Sequence, residues 1–270
     1  MKTIFVSLFF LLTITSCAPF VDSPFSDALL RPERNLNGQS IDRLGDIDAD
    51  GVIRIAVFSD SHQNYKALDK VTFAMNQVEG IDFIAGLGDF TNSAYNLEYD
   101  QFIDALEYLK YPKMMAIGNH DAIGAGPELF RKAFGNPNFY FESTSHRYIF
   151  FDSNNLENPD DFDLPWLKKT VDDSALPVFI FSHVQLRDPE RYFGDDAAML
   201  DTIIKDSKVQ LILNGHNHVY DLLDDNTTVM LQCARVEGEQ WLLLEITGFN
   251  LCIKRMDTQE TVCKTLKTYP

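Results

Sequence analysis

Five of the six histidines in this 270-residue chain fall within a set of short polar clusters, each placed where an apolar run ends. The clusters read Asp60-Ser61-His62, Gly88-Asp89, Gly118-Asn119-His120-Asp121, Ser182-His183 and Gly215-His216-Asn217-His218. Imidazole nitrogen and carboxylate oxygen are the donors that divalent transition ions prefer, so the set suggests a metal centre gathered from distant parts of the chain. Asp60 and His62 alternate along one extended segment and can face one ion; His216 and His218 repeat that spacing near the other end of the domain. Taken singly each cluster is weak, because a Gly-Asp or Ser-His pair is common and a lone histidine more often fills a core. The ordered set, each member following a hydrophobic strand, is specific. No Cys-x-x-Cys pair is present, which argues against a thiolate zinc site.

The elements that must position these clusters follow from hydrophobic periodicity. Strands are predicted over 52–58, 81–87, 113–117, 139–142, 147–151, 177–181 and 209–213. Helices are predicted over 64–78, 98–110, 127–134, 163–173 and 197–205. From 219 onward the pattern changes to four short strand-like runs, 219–223, 228–233, 240–246 and 251–255, joined by Asp/Asn/Gly turns as in a β-meander. Strand–helix alternation implies an α/β sandwich, in which ligands sit beyond the carboxyl ends of the strands. Every cluster falls at such an end.

In order and spacing, Asp60-x-His62, Gly88-Asp89, Gly118-Asn119-His120-Asp121, His183 and Gly215-His216-x-His218 resemble the motifs of the calcineurin-like metallophosphoesterases. The resemblance implies a four-layer α/β/β/α sandwich with two divalent transition-metal ions, manganese, iron or zinc, at the strand ends. It assigns Asp60, His62, Asp89 and His218 to a first ion, and Asp89, Asn119, His183 and His216 to a second, with Asp89 bridging. It further implies hydrolysis of a phosphomonoester or phosphodiester by attack of a hydroxide bridging the two ions. His120 takes the position of the acid, and Asp121 is expected to orient its ring.

Departures narrow the substrate. Phe90-Thr91-Asn92 follow the Gly-Asp pair and Asp121 follows Asn-His, without the arginines and glutamate typical of Ser/Thr protein phosphatases. Protein dephosphorylation is therefore disfavoured. Val184-Gln185-Leu186 follow His183, where many relatives carry proline before the leucine, a difference of loop shape. Arg187 and Arg191 lie just beyond as candidates for substrate contact, although arginines of an acidic protein are usually solvated. The net charge of −17 repels polyanions, so no nucleic-acid partner is expected. A small phosphorylated substrate still fits, because bound cations reverse the sign of the potential locally.

Two other functions compete: a catalytically degenerate surface lipoprotein that binds metal or ligand without turnover, and a nuclease of the same family. A metallo-β-lactamase site needs His-x-His-x-Asp-His, and the one His-x-His here runs on as Val219-Tyr220-Asp221.

The chain divides into three parts. Residues 1–17 read as a lipoprotein signal peptide: Lys2, an apolar stretch over 4–12, then Ile14-Thr15-Ser16-Cys17, which resembles a lipobox. An ordinary secretory signal is the alternative, and either exports the protein to the periplasm or cell envelope. The first adds a membrane anchor through lipid on Cys17. Residues 18–50, with Pro19, Pro24 and Pro32, read as a tether and irregular lead-in, and 51–270 as one metallophosphoesterase domain. Cys252 and Cys263 flank a turn over 257–260, where a bridge across a hairpin is one option. Asp46-x-Asp48-x-Asp50-Gly51 imitates the start of a calcium loop, but Val57 holds the twelfth position and a strand follows, so it reads as a turn. His146 reads as structural, Asp152 as a turn former or a support to the site, and Asn92 and Asn154 as candidate pocket residues.

Overall fold

The computed structural model describes residues 23, 26–31, 34–224 and 228–269. The expected signal peptide, Cys17 and the tether prolines lie outside these residues. Among the described residues no helix is long and apolar enough to cross a membrane.

The chain builds two six-stranded mixed sheets. In the first, β1 (Ile53–Phe58), β2 (Phe83–Gly86) and β3 (Lys113–Met115) run parallel. Strand β10 (Leu242–Thr247) pairs antiparallel with β1, and β11 (Asn250–Arg255) and β12 (Thr261–Thr265) extend that edge as a meander. In the second, β5 (Arg147–Phe150), β6 (Val178–Phe181), β7 (Val209–Asn214) and β9 (Val229–Gln232) are parallel. Antiparallel edge strands β4 (Phe139–Glu142) and β8 (Asp221–Asp224) close its two sides.

Side-chain alternation decides the layering, because successive residues of a strand face opposite sides. Ile55, Val57, Phe83 and Ala85 of the first sheet meet Tyr148, Phe150, Phe179, Phe181, Leu211 and Leu213 of the second in a shared core. The residues between them face outward. Ala56, Phe58 and Ile84 pack under α2 (Tyr65–Gln77), α3 (Asn96–Leu106) and α4 (Gly126–Phe134). Ile149, Ile180 and Ile212 pack under α5 (Leu164–Asp172) and α6 (Gly194–Ile204). Strands buried on both faces need apolar residues throughout, which is why 53–58 and 178–181 read as unbroken runs. The order is helices, sheet, sheet, helices, as the resemblance implied.

Two details differ from the sequence reading. The four C-terminal runs do not form one meander. The first two make the β8–β9 hairpin of the second sheet, and the chain then crosses to the first sheet for β10–β12. The lead-in contains a helix, α1 (Leu36–Ile41), which periodicity could not reveal in fewer than two turns. Beside it Asn37 pairs with Met115 through both its amide oxygen (2.8 Å) and nitrogen (3.0 Å), covering the exposed edge of β3. The bridge that the sequence left as an option is present: Cys252 and Cys263 sit directly opposite on β11 and β12 and are joined by a disulfide.

The calcium-loop imitation is a turn whose carboxylates serve the protein itself. Asp48 accepts from Thr144 N at 2.8 Å and Thr144 Oγ1 at 2.7 Å, and Asp50 from Val52 N at 2.9 Å. His146 is buried at that same end, bonded to Ser145 Oγ at 2.7 Å, with its ring tilted against that of Phe179 at 4.5 Å.

Candidate metal centre

All five clusters lie on loops that leave the carboxyl ends of parallel strands, three in the first sheet and two in the second. The loops are bonded to one another rather than side by side. Asp60 N donates to Gly88 O at 3.0 Å, and His62 N to Asp89 O at 2.8 Å. His120 N donates to Asp89 Oδ1 at 2.8 Å, His216 N to Asp60 Oδ2 at 3.1 Å, and Gly215 N to His183 O at 3.0 Å. Such approach demands missing side chains. A Cβ on Gly88 would stand 2.6 Å from Gly118 N and 2.8 Å from His183 Nδ1, and one on Gly215 would strike Ser59 Oγ. The glycines of the motifs are there for contact between loops.

The backbone at the site is strained. Asp60, His62, Asp89, His216 and His218 have φ of 51°, 44°, 55°, 74° and 62°. The left-handed region costs a non-glycine residue about 1–3 kcal/mol and persists only where surroundings enforce it, commonly at functional sites. Here the inter-loop hydrogen bonds enforce it.

Two groups of side chains result. Asp60, His62, Asp89 and His218 bring donor atoms within 4.8 Å of one another, and Asp89, His183 and His216 form a second such group. Asp89 belongs to both. Asn119 Oδ1 joins the second, 3.0 Å from His216 Nδ1 and 3.1 Å from His183 Nε2. His183 Nε2 stands 3.2 Å from Asp89 Oδ2, which joins the two sheets at this point. All seven residues the sequence singled out for metal are thus brought together.

The chemistry of the group fits cations. His62 Nδ1 faces Thr91 O at 3.1 Å and His183 Nδ1 faces Leu87 O at 2.7 Å. A carbonyl only accepts, so each ring keeps a proton on Nδ1 and turns Nε2 into the site, the nitrogen that a metal ion would take. His62 Nε2 and His218 Nε2 face each other at 3.3 Å. Asp60 Oδ1 is buried without a hydrogen bond, although His218 Nε2 lies 3.4 Å away. A buried carboxylate oxygen left without a donor is costly unless a cation satisfies it. Nitrogen and oxygen donors without sulfur suit iron, manganese or zinc alike.

Electrostatics within the site are dominated by Asp89. Burial works against its charge, yet His183 and His120 hold it well below the usual carboxylate range. Burial likewise opposes a charged His183, but the Asp89 carboxylate outweighs it and raises the imidazole to about 9. Burial and the charge of His183 lower His216, while Asp60 raises His218.

One expectation is corrected. Asp121 does not orient the His120 ring. His120 Nδ1 donates to Asn92 O at 2.8 Å, and the ring sits edge-on 4.9 Å from that of His62. Asp121 turns inward, fully buried, and accepts from Phe90 N, Thr91 N, Thr91 Oγ1 and Gly118 N at 2.8–3.0 Å. It clamps the Asp89 loop to the Asn119 loop. Burial and the neighbouring Asp89 push it up to about 7 despite those donors. Side-chain chemistry at the strand end was the only signal in the sequence, and it cannot tell which way the carboxylate turns.

Several supporting residues carried no motif. Glu98 accepts from Ser93 N at 3.0 Å and Tyr95 N at 2.9 Å, fixing the loop that offers Asn92 O. A glutamate at the third position of a helix is a capping-box signal, obscured here because Tyr95 replaces the usual serine or threonine. Ser153 Oγ accepts from His183 N at 3.2 Å and Val184 N at 2.8 Å. Asn154 is buried against Ile117 O at 3.0 Å, and Asp152 accepts from Asn154 and Asn158 beneath the same loop.

The calcineurin-like phosphoesterase family matches residues 53–220, and the chain belongs to that family. Its members use a dinuclear metal centre, and the two groups sharing Asp89 are the candidate for it here. A comparison with curated proteins gives no match. Among solved structures, a dimetal phosphatase from Danio rerio is similar, with TM-score 0.63, 12% identity, and 78% of this chain and 98% of that one covered. The anchor in the inner membrane complex of Plasmodium gives 0.61 at 14%, covering 81% and 90%. A purple acid phosphatase from yellow lupin (Lupinus luteus) seeds gives 0.61 at 14%, covering 80% of this chain and 53% of that one. At these identities the likeness is one of fold.

Proposed function

We propose that the protein hydrolyses a small phosphomonoester or phosphodiester at two divalent ions. Asp60, His62, Asp89 and His218 would hold one ion, and Asp89, Asn119, His183 and His216 the other. The observation that carries this reading is the pair of donor groups meeting at Asp89. Two ions so held would lower the pKa of a water and neutralise phosphate oxygens as charge spreads in the transition state.

The chain's own residues do the rest. Asp89 places one carboxylate against both groups, and Leu87 O and Thr91 O fix the tautomers of His183 and His62. His120, with Nδ1 committed to Asn92 O, presents Nε2 as the atom that gives a proton to the leaving alkoxide. The fully satisfied Asp121 keeps the loops carrying Asp89 and His120 in register. Export and a lipid on Cys17 complete the reading: residues 4–12 and Ile14-Thr15-Ser16-Cys17 support it, and the disulfide fits an oxidising compartment.

The test is hydrolysis of p-nitrophenyl phosphate and bis-p-nitrophenyl phosphate by the purified chain loaded with manganese, iron or zinc. Turnover that depends on added metal and disappears in Asp89→Ala is expected. Activity unchanged in Asp89→Ala would sink the two-ion reading.

A further inference from the structure

His216 and His218 are held differently from the other two candidate histidine ligands. The rings of His62 and His183 are each fixed by a main-chain oxygen on Nδ1, at 3.1 and 2.7 Å. His216 meets Asn119 and His183 through Nδ1, and His218 meets His62 and Asp60 through Nε2. Among the described residues, the remaining nitrogen of each of these two rings has no hydrogen-bond partner. Their positions are therefore set by the backbone of the loop that carries them. That backbone is left-handed at both residues, with φ of 74° and 62°, a conformation that persists only where surroundings enforce it.

Gln232 supplies that enforcement from behind the loop. It is the last residue of β9, the strand between β7 and β8. The loop leaves β7 at Asn214 and enters β8 at Asp221, and both of these residues pair with Gln232. Its side chain, 3% exposed, grips the loop between those ends. Oε1 accepts from Asn217 Nδ2 at 3.1 Å, and Nε2 donates to Val219 O at 2.8 Å. Asn217 lies between the two histidines, and Val219 directly after the second. Oε1 also accepts from Gln185 Nε2, two residues beyond His183, with Asn214 Nδ2 farther off at 3.4 Å. One buried amide thus ties together the segments of His183, His216 and His218, which serve both donor groups. Only a primary amide offers the acceptor and the donor at one side-chain end; a carboxylate lacks the donor and a thioether has neither in useful strength.

We infer that Gln232 is the positioning residue that holds His216 and His218 at the spacing both ions need. It bonds to no ligand side chain and acts through the loop. The inference rests on the two-ion reading and names what maintains its geometry.

The test is manganese binding to the purified full chain by calorimetry, with urea denaturation in chelator beside it. Gln232→Met, similar in length and without the hydrogen bonds, is expected to weaken manganese binding about 10- to 100-fold, the usual cost of losing a partner behind a metal ligand. Loss of a buried amide also lowers stability, and Gln210→Met separates the two effects. Gln210 lies at the other end of β7, 1% exposed, with Nε2 donating to Lys267 O at 2.6 Å. Gln210→Met should lose stability and keep wild-type manganese affinity. Affinity unchanged in Gln232→Met, or lowered equally in Gln210→Met, overturns the inference and leaves the two-ion reading standing. Should Gln232→Met fail to fold, Asn217→Ala breaks the contact from the exposed side of the loop. A loss of about 2- to 10-fold is expected there, the worth of one neutral hydrogen bond, and wild-type affinity overturns the inference equally. A wild-type protein that takes up no manganese overturns both. Binding is read without turnover, so a chain that binds manganese through this loop and hydrolyses nothing defeats the hydrolase reading alone.

Discussion

The ring of His120 is held by the main-chain oxygen of Asn92, 2.8 Å from Nδ1, and not by the carboxylate of its sequence neighbour Asp121. A carbonyl fixes the tautomer and the angle of the imidazole without adding a negative charge beside it. With Nδ1 committed to Asn92 O, Nε2 is the ring atom left to face a leaving group. Replacing His120 by Asn should lower kcat by about 10²–10⁴-fold for an alkyl phosphate, whose alkoxide needs the proton. The loss should be far smaller for p-nitrophenyl phosphate, whose phenolate leaves unaided. Equal losses on both substrates would remove His120 from the acid role.

Asn92 O is only as well placed as the loop that carries it, and Glu98 places that loop. Its buried carboxylate takes main-chain N–H groups of Ser93 and Tyr95 and the side-chain amide of Gln63. Glu98→Ala leaves those donors without a partner, at about 1–3 kcal/mol for each one that stays buried. A lower Tm is expected, together with a fall in kcat that depends on the leaving group as in His120→Asn. Metal content should hold. A variant destabilised but equally active on alkyl phosphates would reduce Glu98 to a structural cap.

What the sequence made legible divides along a physical line. The donor types, their placement at strand ends and the four layers follow from side-chain chemistry and from the period of buried positions, both local. The direction of Asp121 and the partner of His120 depend on how two loops dock, which no local pattern encodes. The same holds for the division of the C-terminal strands. Val229–Gln232 and Leu242–Thr247 both turn apolar residues into the core between the sheets, and only the strands they pair with, β7 and β1, put them in different sheets. Arg191 belongs with these cases. Its burial comes from Glu157, on a loop whose contact with it the spacing of residues does not announce.

Strain at the site separates stability from function. His218 has φ of 62°, where a Cβ is disfavoured by about 1–2 kcal/mol and glycine is not. His218→Gly and His218→Ala lose the same imidazole and both should lose metal at the position shared with Asp60. In the presence of chelator, the glycine variant should nevertheless be more stable than the alanine variant by about 1 kcal/mol. That is the reverse of the usual order, in which glycine costs stability through the entropy of the unfolded chain. Urea denaturation of the two variants decides it. An alanine variant equal to or more stable than the glycine variant means that the left-handed backbone is not under strain.

Asp152 gives the fold a pH dependence that can be isolated. It is fully buried, and burial raises it from 3.8 to about 6 against the pull of donors from Asn154 and Asn158. A carboxyl raised in the folded state keeps its proton after the unfolded chain has lost one. Between these two values the folded state binds more protons, so stability falls as pH rises. The contribution is fully present below 3.8 and is lost as pH passes through about 6, a change worth about 3 kcal/mol. The comparison is with Asp152→Asn, which cannot titrate. The stability of the wild type relative to the variant, from urea denaturation in chelator, should decline by most of that amount between pH 4 and pH 7.5 and then level off. A difference that stays constant over that range would mean that Asp152 is already ionised in the folded protein at pH 4. The three amide hydrogen bonds from Asn154 and Asn158 would then outweigh its burial.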